Sequence, residues 1–102
     1  MEDKVLRKLF LGFINIHILH HAKEEGIYGM WMLEELKNHG YELSAGTLYP
    51  ILHNLEKTGL LLKKEQQVDG KVRKYYRTTE KGASVLEEAR ERAYELFKEI
   101  KE

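Results

Sequence analysis

The chain has 102 residues, enough for one domain with a thin core, and a third of them are charged, with seventeen basic and seventeen acidic side chains. A balance of zero argues against a partner recognised by overall charge alone. There is no cysteine, which excludes disulfides and thiolate metal sites and leaves the redox compartment open. The first residues, Met-Glu-Asp-Lys, lack the basic start of a secretion signal. The apolar run from Leu9 to Leu19 is broken by Gly12, Asn15 and His17 and is too short to span a bilayer, so a cytoplasmic protein without membrane contact is expected. Charge is unevenly spread. Residues 60–79 hold six basic and two acidic side chains, a net +4, and the segments on either side are each at −2.

Residues 4 to 22 read as a first helix. Val5, Leu6, Leu9, Phe10, Phe13, Ile14, Ile16 and Ile18 cover much of its circumference, a pattern that calls for burial on more than one side. One small domain rarely offers that, which points to a second subunit. On the same helix His17, His20, His21 and Glu24 share a face at spacings of three and four. Two histidines at i, i+4 beside an acid can hold zinc or nickel. No distal cysteine or acidic cluster completes the set, so polar contacts at the helix end are the reading and no metal is expected.

Gly26 and Gly29 bracket a turn, and a second helix is expected from about Met30 to Asn38, with Trp31, Met32, Leu33 and Leu36 inward or partly inward and Gly40 as its stop. Tyr41 to Leu43 form a short extended link. The stretch Ser44 to Gly59 is the centre of the chain. Ser44 is a residue that caps helices and Gly59 one that ends them. Leu48, Ile51, Leu52 and Leu55 follow the i, i+3, i+4, i+7 rule and bury one face. The other face carries Gly46, Thr47, Tyr49, Pro50, His53 and Lys57: small residues, a ring, hydrogen-bonding groups and a cation. A helix amino terminus with hydroxyls and free amides is also a seat for phosphate. Pro50 leaves two starts open. Either the helix begins at Ala45 and bends at the proline, or Ser44 to Thr47 form a turn and it begins near Leu48. Two short helices joined tightly, the second with a polar face, have helix-turn-helix spacing.

After Gly59, Leu60 to Gln67 and Val72 to Thr78 flank Asp69-Gly70, the strongest short-range hairpin signal. The returning strand puts Arg73, Tyr75 and Arg77 on one face and Lys74 and Tyr76 on the other. A basic hairpin directly after a recognition helix is the wing of a winged helix. Thr79 opens a last helix in which Leu86, Ala89, Ala93, Leu96 and Ile100 recur at 3, 4, 3, 4, an a/d seam with charges elsewhere. That helix has little of its own domain to pack on, and pairing with another chain is expected. No catalytic constellation is visible, so the chain is not expected to be an enzyme.

Gly46-Thr47-Leu48-Tyr49-Pro50, with Leu52-His53-Asn54-Leu55-Glu56 and Gly59-Leu60-Leu61, resembles the recognition helix of PadR-type transcriptional regulators. Gly70-Lys71, Arg73-Lys74-Tyr75-Tyr76 and Thr79-Glu80-Lys81-Gly82 resemble that family's wing and following helix, and Tyr28-Gly29 its turn before the second helix. The single last helix is similar to the small subfamily. Two features depart from the pattern: Glu25-Gly26 and Gly29-Met30-Trp31 stand where Gly-Pro and Gly-Tyr-Glu are usual, and Thr78 where leucine is common. The resemblance implies a homodimeric repressor released from operator DNA by a small aromatic or drug-like effector.

The expected fold is mainly α with a small β-hairpin, a winged helix-turn-helix over residues 1–82 and a dimerisation helix over 83–102, forming one structural unit. Ser44, Ala45, Gly46, Thr47, Tyr49, Pro50, His53, Lys63, Lys71, Arg73 and Lys74 are expected at double-stranded DNA. Phe10, Phe13, Trp31, Tyr94 and Phe97 are candidates for an aromatic effector pocket, with ordinary core as the plainer alternative. Leu6, Leu86, Ala89, Ala93, Leu96 and Ile100 are expected at the dimer interface. No cofactor is expected. The competing class is a winged-helix interaction module that dimerises without binding DNA.

Overall fold

A computed structural model describes residues 3–101. The helix α1 spans Lys4–His21 and starts where its sequence allows: the Asp3 carboxylate accepts hydrogen bonds from the amides of Val5 and Leu6 at 2.8 and 3.2 Å. Its carboxy-terminal half buries Ile14, Ile18 and Leu19. The other side is bare: Val5, Leu6, Leu9, Phe10 and Phe13 are all exposed. The second covered side called for by the sequence is therefore not provided within one chain.

Residues 27–28 correct the expected turn. Ile27–Tyr28 is a strand, β1, and Gly29–Asn38 is helix α2. Two residues are too few to show an alternating pattern, and the partner strand lies far along the chain. Gly40, at φ 91, then reverses the backbone, and the Tyr41 amide donates back to the Leu36 carbonyl at 2.9 Å. The recognition helix α3 spans Ala45–Lys57, so the earlier of the two starts is the observed one and Pro50 lies within the helix. Leu48, Leu52 and Leu55 are buried and Gly59, at φ 84, ends the turn that follows.

Strands β2 (Leu61–Val68) and β3 (Lys71–Thr78) pair antiparallel from Leu61↔Thr78 to Val68↔Lys71. Both loop residues, Asp69 at φ 52 and Gly70 at φ 76, have the positive φ that a two-residue type I′ turn requires. β1 adds to the far edge through Ile27↔Tyr76 and Tyr28↔Tyr75, so the expected hairpin is a three-stranded sheet of order β1-β3-β2. The core gathers Ile14, Ile18, Leu19, Met32, Leu36, Leu48, Leu52, Leu55, Leu61 and Tyr76 under one cover. Burial raises the Tyr76 phenol above its ordinary pKa, with the Glu56 charge adding to it, and it stays protonated.

Helix α4, Glu80–Ile100, is capped by Thr79, whose hydroxyl accepts from the Gly82 amide at 3.0 Å. The same hydroxyl donates to the Gly59 carbonyl, and Lys81 Nζ donates to the Thr58 carbonyl. Thr78, one of the two departures from the resembled pattern, donates to the Leu19 carbonyl at 2.7 Å. Leu86, expected on a partner-facing seam, is half-buried against the core of its own chain. Ala83, Leu86 and Ala89 are half-buried, and beyond Ala89 every residue of the helix is exposed.

Gly82 holds this junction at its closest point. A β-carbon there would collide with the Leu60 carbonyl oxygen and stand 2.8 Å from Thr78 Cγ2. Gly82→Ala should therefore push α4 off the α3–β2 turn and lower stability by about 1–3 kcal/mol, read as a fall in the urea midpoint. An unchanged midpoint would mean that the turn relaxes freely.

Candidate nucleic-acid interface

The apolar face of α3 is set by Leu48, Leu52 and Leu55, and the opposite side is consequently turned to solvent. Gly46, Pro50, His53, Asn54 and Lys57 form its exposed stripe, with Tyr49 on one border and half-buried Thr47 on the other. Ala45, also expected at DNA, is half-buried against the core, so only part of it is open to that face. Asn54 is the residue that sequence reading did not select. Its position four after Pro50 and eight after Gly46 already put it on this stripe.

Nothing within the chain requires glycine at position 46. A β-carbon there would meet only Ser44 Oγ, at 3.5 Å, an ordinary contact. What glycine leaves is bare backbone at the tip of the stripe, open to close approach from outside. Pro50 adds to this, because it has no N–H to donate to the Gly46 carbonyl.

The amino ends of the four helices differ. Asp3 and Thr79 cap α1 and α4 with side-chain oxygens. Tyr28 and Ser44, before α2 and α3, make no such bond; the Ser44 hydroxyl lies 3.5 Å from Thr47 Oγ1 instead, contrary to its expected capping role. First-turn amides without a side-chain partner can receive a phosphate oxygen. The two helices left open in this way are those of the helix-turn-helix.

The strand register sorts the wing cations. Lys71, Arg73 and Arg77 share one face with Tyr75, and Lys74 lies on the other with Tyr76. Tyr75 stacks on Tyr28 with ring centroids 4.0 Å apart, their hydroxyls are hydrogen-bonded, and the Arg73 guanidinium lies 5.2 Å from the Tyr28 ring centre. These tyrosines are sheet packing, as the strand pattern suggested. Lys63 is half-buried and sits 3.8 Å from the Glu56 carboxylate, which makes it the least available of the cations expected at DNA. A cleft of about 610 Å³ separates wing from helices, lined by Tyr28, Gly29, Met30, Tyr49, Val72, Arg73, Lys74 and Tyr76. Tyr49 reaches across it: a β-carbon at Gly29 would stand 2.8 Å from the Tyr49 ring. Tyr49 is thus part exposed and part wedged between the recognition helix and the start of α2.

The aromatic set does not converge within one chain. Phe10 stands edge-on to Tyr41, and Phe13 lines a separate cleft of about 430 Å³ between α1 and α4. Trp31 stands against His21, and Tyr94 and Phe97 are exposed on α4, with Lys98 over the Tyr94 ring. The histidines converge more than their sequence spacing shows. His17 and His21 meet His39 from the end of α2, their ligating atoms all within 4.8 Å of one another. Glu35 lies 3.0 Å from His39 Nε2 and 3.4 Å from His21 Nε2. Burial and the neighbouring imidazoles lower the pKa of His17, and burial lowers that of His21 against the pull of Glu35. His20 takes no part in this cluster. His39 and Glu35 were beyond sequence reading because they lie on a different helix.

Comparisons with known proteins agree on what this arrangement is. A family model described as "Transcriptional regulator PadR-like family" matches residues 18–88. The transcriptional regulator Rv3488 of Mycobacterium tuberculosis is 43% identical over 95 residues, covering 93% of this chain and 89% of the relative. The crystal structure of a PadR family transcriptional regulator from Eggerthella lenta superposes with a TM-score of 0.81 at 33% identity, covering 94% of this chain and 85% of that one. A more distant structure, Bacillus subtilis PadR in complex with operator DNA, matches in fold with a TM-score of 0.68 at 19% identity, over 74% of this chain and 45% of its own. With a family match over most of its length and a close relative along nearly all of it, this chain belongs to the PadR-like family of transcriptional regulators.

Proposed function

We propose that the chain works as a homodimeric repressor, with one α3 from each subunit in successive major grooves of a near-palindromic operator and the wings on the flanking backbone. The observation that carries this reading is the exposed stripe Gly46–Lys57, bare at its tip, beside a cationic wing and two helix amino ends without side-chain caps. Phosphate contacts position such a module, and the residues on the stripe read base edges. The Bacillus subtilis relative solved with operator DNA supports a DNA-binding role for the shared fold.

Lys71, Arg73 and Lys74 are exposed on the wing and meet the DNA backbone in this reading. Neutralising all three should weaken binding to every duplex alike and reduce the magnitude of the salt slope by about 0.9 for each phosphate no longer neutralised. A slope that does not change would remove the wing from the interface.

Gly46→Ala separates stability from recognition. The fold has room for the methyl group, so the thermal midpoint should hold or rise slightly. Operator affinity should fall at least tenfold, about 1.4 kcal/mol, in a titration on selected operator DNA. Equal affinity for both proteins would show that no DNA group approaches the tip.

The dimer in this reading forms over the bare sides of α1 and α4. Leu96 and Ile100, expected on the seam, are 55% and 65% exposed, and Phe97 falls in the same stripe. A two-fold axis would cover the same patch on both chains and set the recognition helices about 34 Å apart. Because neither side chain is needed by the single chain, Leu96→Asp with Ile100→Asp should give a folded monomer in sedimentation that no longer holds the operator. An effector pocket between subunits would use Phe10, Phe13, Tyr94 and Phe97 near Trp31, so quenching of that single tryptophan by small aromatic compounds should vanish in the same variant. A folded variant that remains dimeric at micromolar concentration would place the interface elsewhere.

A further inference from the structure

His17 and His21 are one helical turn apart on α1, and Glu35 and His39 are one turn apart at the end of α2. Two such i, i+4 pairs on packed helices face one another, so three imidazoles converge with the Glu35 carboxylate beside two of them. The three imidazoles bring their ligating atoms within 4.8 Å of one another. The Glu35 carboxylate is already 3.0 and 3.4 Å from two of the rings.

This is an unusual way to fill a helix contact. Apolar side chains would satisfy the space, whereas three adjacent imidazoles repel one another once any two are charged. Burial keeps His17 and His21 toward the neutral form, the one that ligates metals. Rings surround His17: His39 at 4.7 Å between centroids, Tyr41 at 5.5 Å and His21 at 6.2 Å. Trp31 closes one side against His21 at 5.4 Å. His39 remains exposed and leaves an opening.

We propose that His17, His21 and His39, with Glu35 as the fourth donor, bind one divalent transition-metal ion of the zinc type. Three neutral imidazole nitrogens and one carboxylate oxygen are a zinc-compatible set. With metal–nitrogen bonds of about 2.0–2.1 Å a tetrahedral site holds its donors roughly 3.4 Å apart. The present spacing closes to that by side-chain rotation of the exposed His39 and a small shift of the other rings. To ligate, each ring presents an unprotonated nitrogen to the metal and, as a neutral imidazole, carries its single proton on the other one. An ion here pins the second half of α1 to the last turn of α2, one residue before Gly40 turns the chain toward the recognition helix. The site does not depend on the DNA-binding reading and is tested on the protein alone.

The test is metal titration of tag-free protein, with Zn²⁺ followed by calorimetry and Co²⁺ by its visible spectrum. The expected result is saturable uptake of one ion per chain, with the intense visible bands of tetrahedral cobalt and a thermal midpoint raised by Zn²⁺. His39→Gln, at an exposed position the fold does not need, should weaken binding at least tenfold and abolish the Zn²⁺ effect on the midpoint. His17→Ala should do the same. His20→Ala, on the same helix but outside the cluster, should bind like the parent. The inference is overturned if Zn²⁺ uptake is not saturable at one per chain, if it survives His39→Gln unchanged, or if His20→Ala loses it equally.

Discussion

The contact on which the rest of the molecule depends is the close approach of α4 to the α3–β2 turn at Gly82. Five consecutive residues, Thr78 to Gly82, tie three elements together there. Thr78 holds the end of α1 through the Leu19 carbonyl, Thr79 and Lys81 hold the end of α3 through Gly59 and Thr58, and Gly82 allows the backbones to touch. The carbonyls at a helix end lack intrahelical partners, so side chains that supply donors to them also fix where the next element leaves. The direction in which α4 projects, and with it the position of its apolar stripe, follows from this junction. So does the seat of the recognition helix, because Gly59 and Leu60 sit directly beneath the same contact.

The face of α3 opposite its core departs from what local helix preference would choose. Glycine lies in its first turn and proline in its second, both on the exposed stripe. Neither residue is forced by packing, and each weakens the helix on its own terms. Departures of this kind from local consistency concentrate where a surface has another task. The helix tolerates them because Leu48, Leu52 and Leu55 anchor it from the buried side. The same division holds for the helix ends: the two structural helices carry side-chain caps and the two of the helix-turn-helix do not. A net charge of zero is compatible with this arrangement, since the positive excess sits in the wing and the negative excess elsewhere.

Single-chain burial is incomplete in a patterned way. Large apolar side chains stand in solvent along one side of α1 and along the second half of α4, and the core stops between them. In the proposed dimer this is the surface that a second subunit covers. At the inner end of the same region the histidine cluster joins α1 to α2, so the bare apolar surface, the clustered imidazoles and α3 lie along one continuous set of packed elements.

Much of this was legible in the sequence, because it rests on interactions between near neighbours in the chain. Helix periodicity gave α1, α2 and α4 to within a residue or two but left the start of α3 open between Ala45 and about Leu48, and Asp69-Gly70 gave the hairpin, since both depend on a repeat or a turn encoded locally. What tertiary structure alone decided depends on contacts between distant segments. Strand β1 is two residues long and exists through Tyr75 and Tyr76, nearly fifty positions away. Leu86 fits a partner-facing seam by spacing, and packing in three dimensions also half-buries it against its own core. Ser44 has the chemistry of a cap, but its hydroxyl turns to Thr47. The histidines His17 and His21 on α1 meet His39 and Glu35 from the neighbouring helix and its end. Periodicity states which side of an element is apolar; which other element meets that side is fixed by packing in three dimensions.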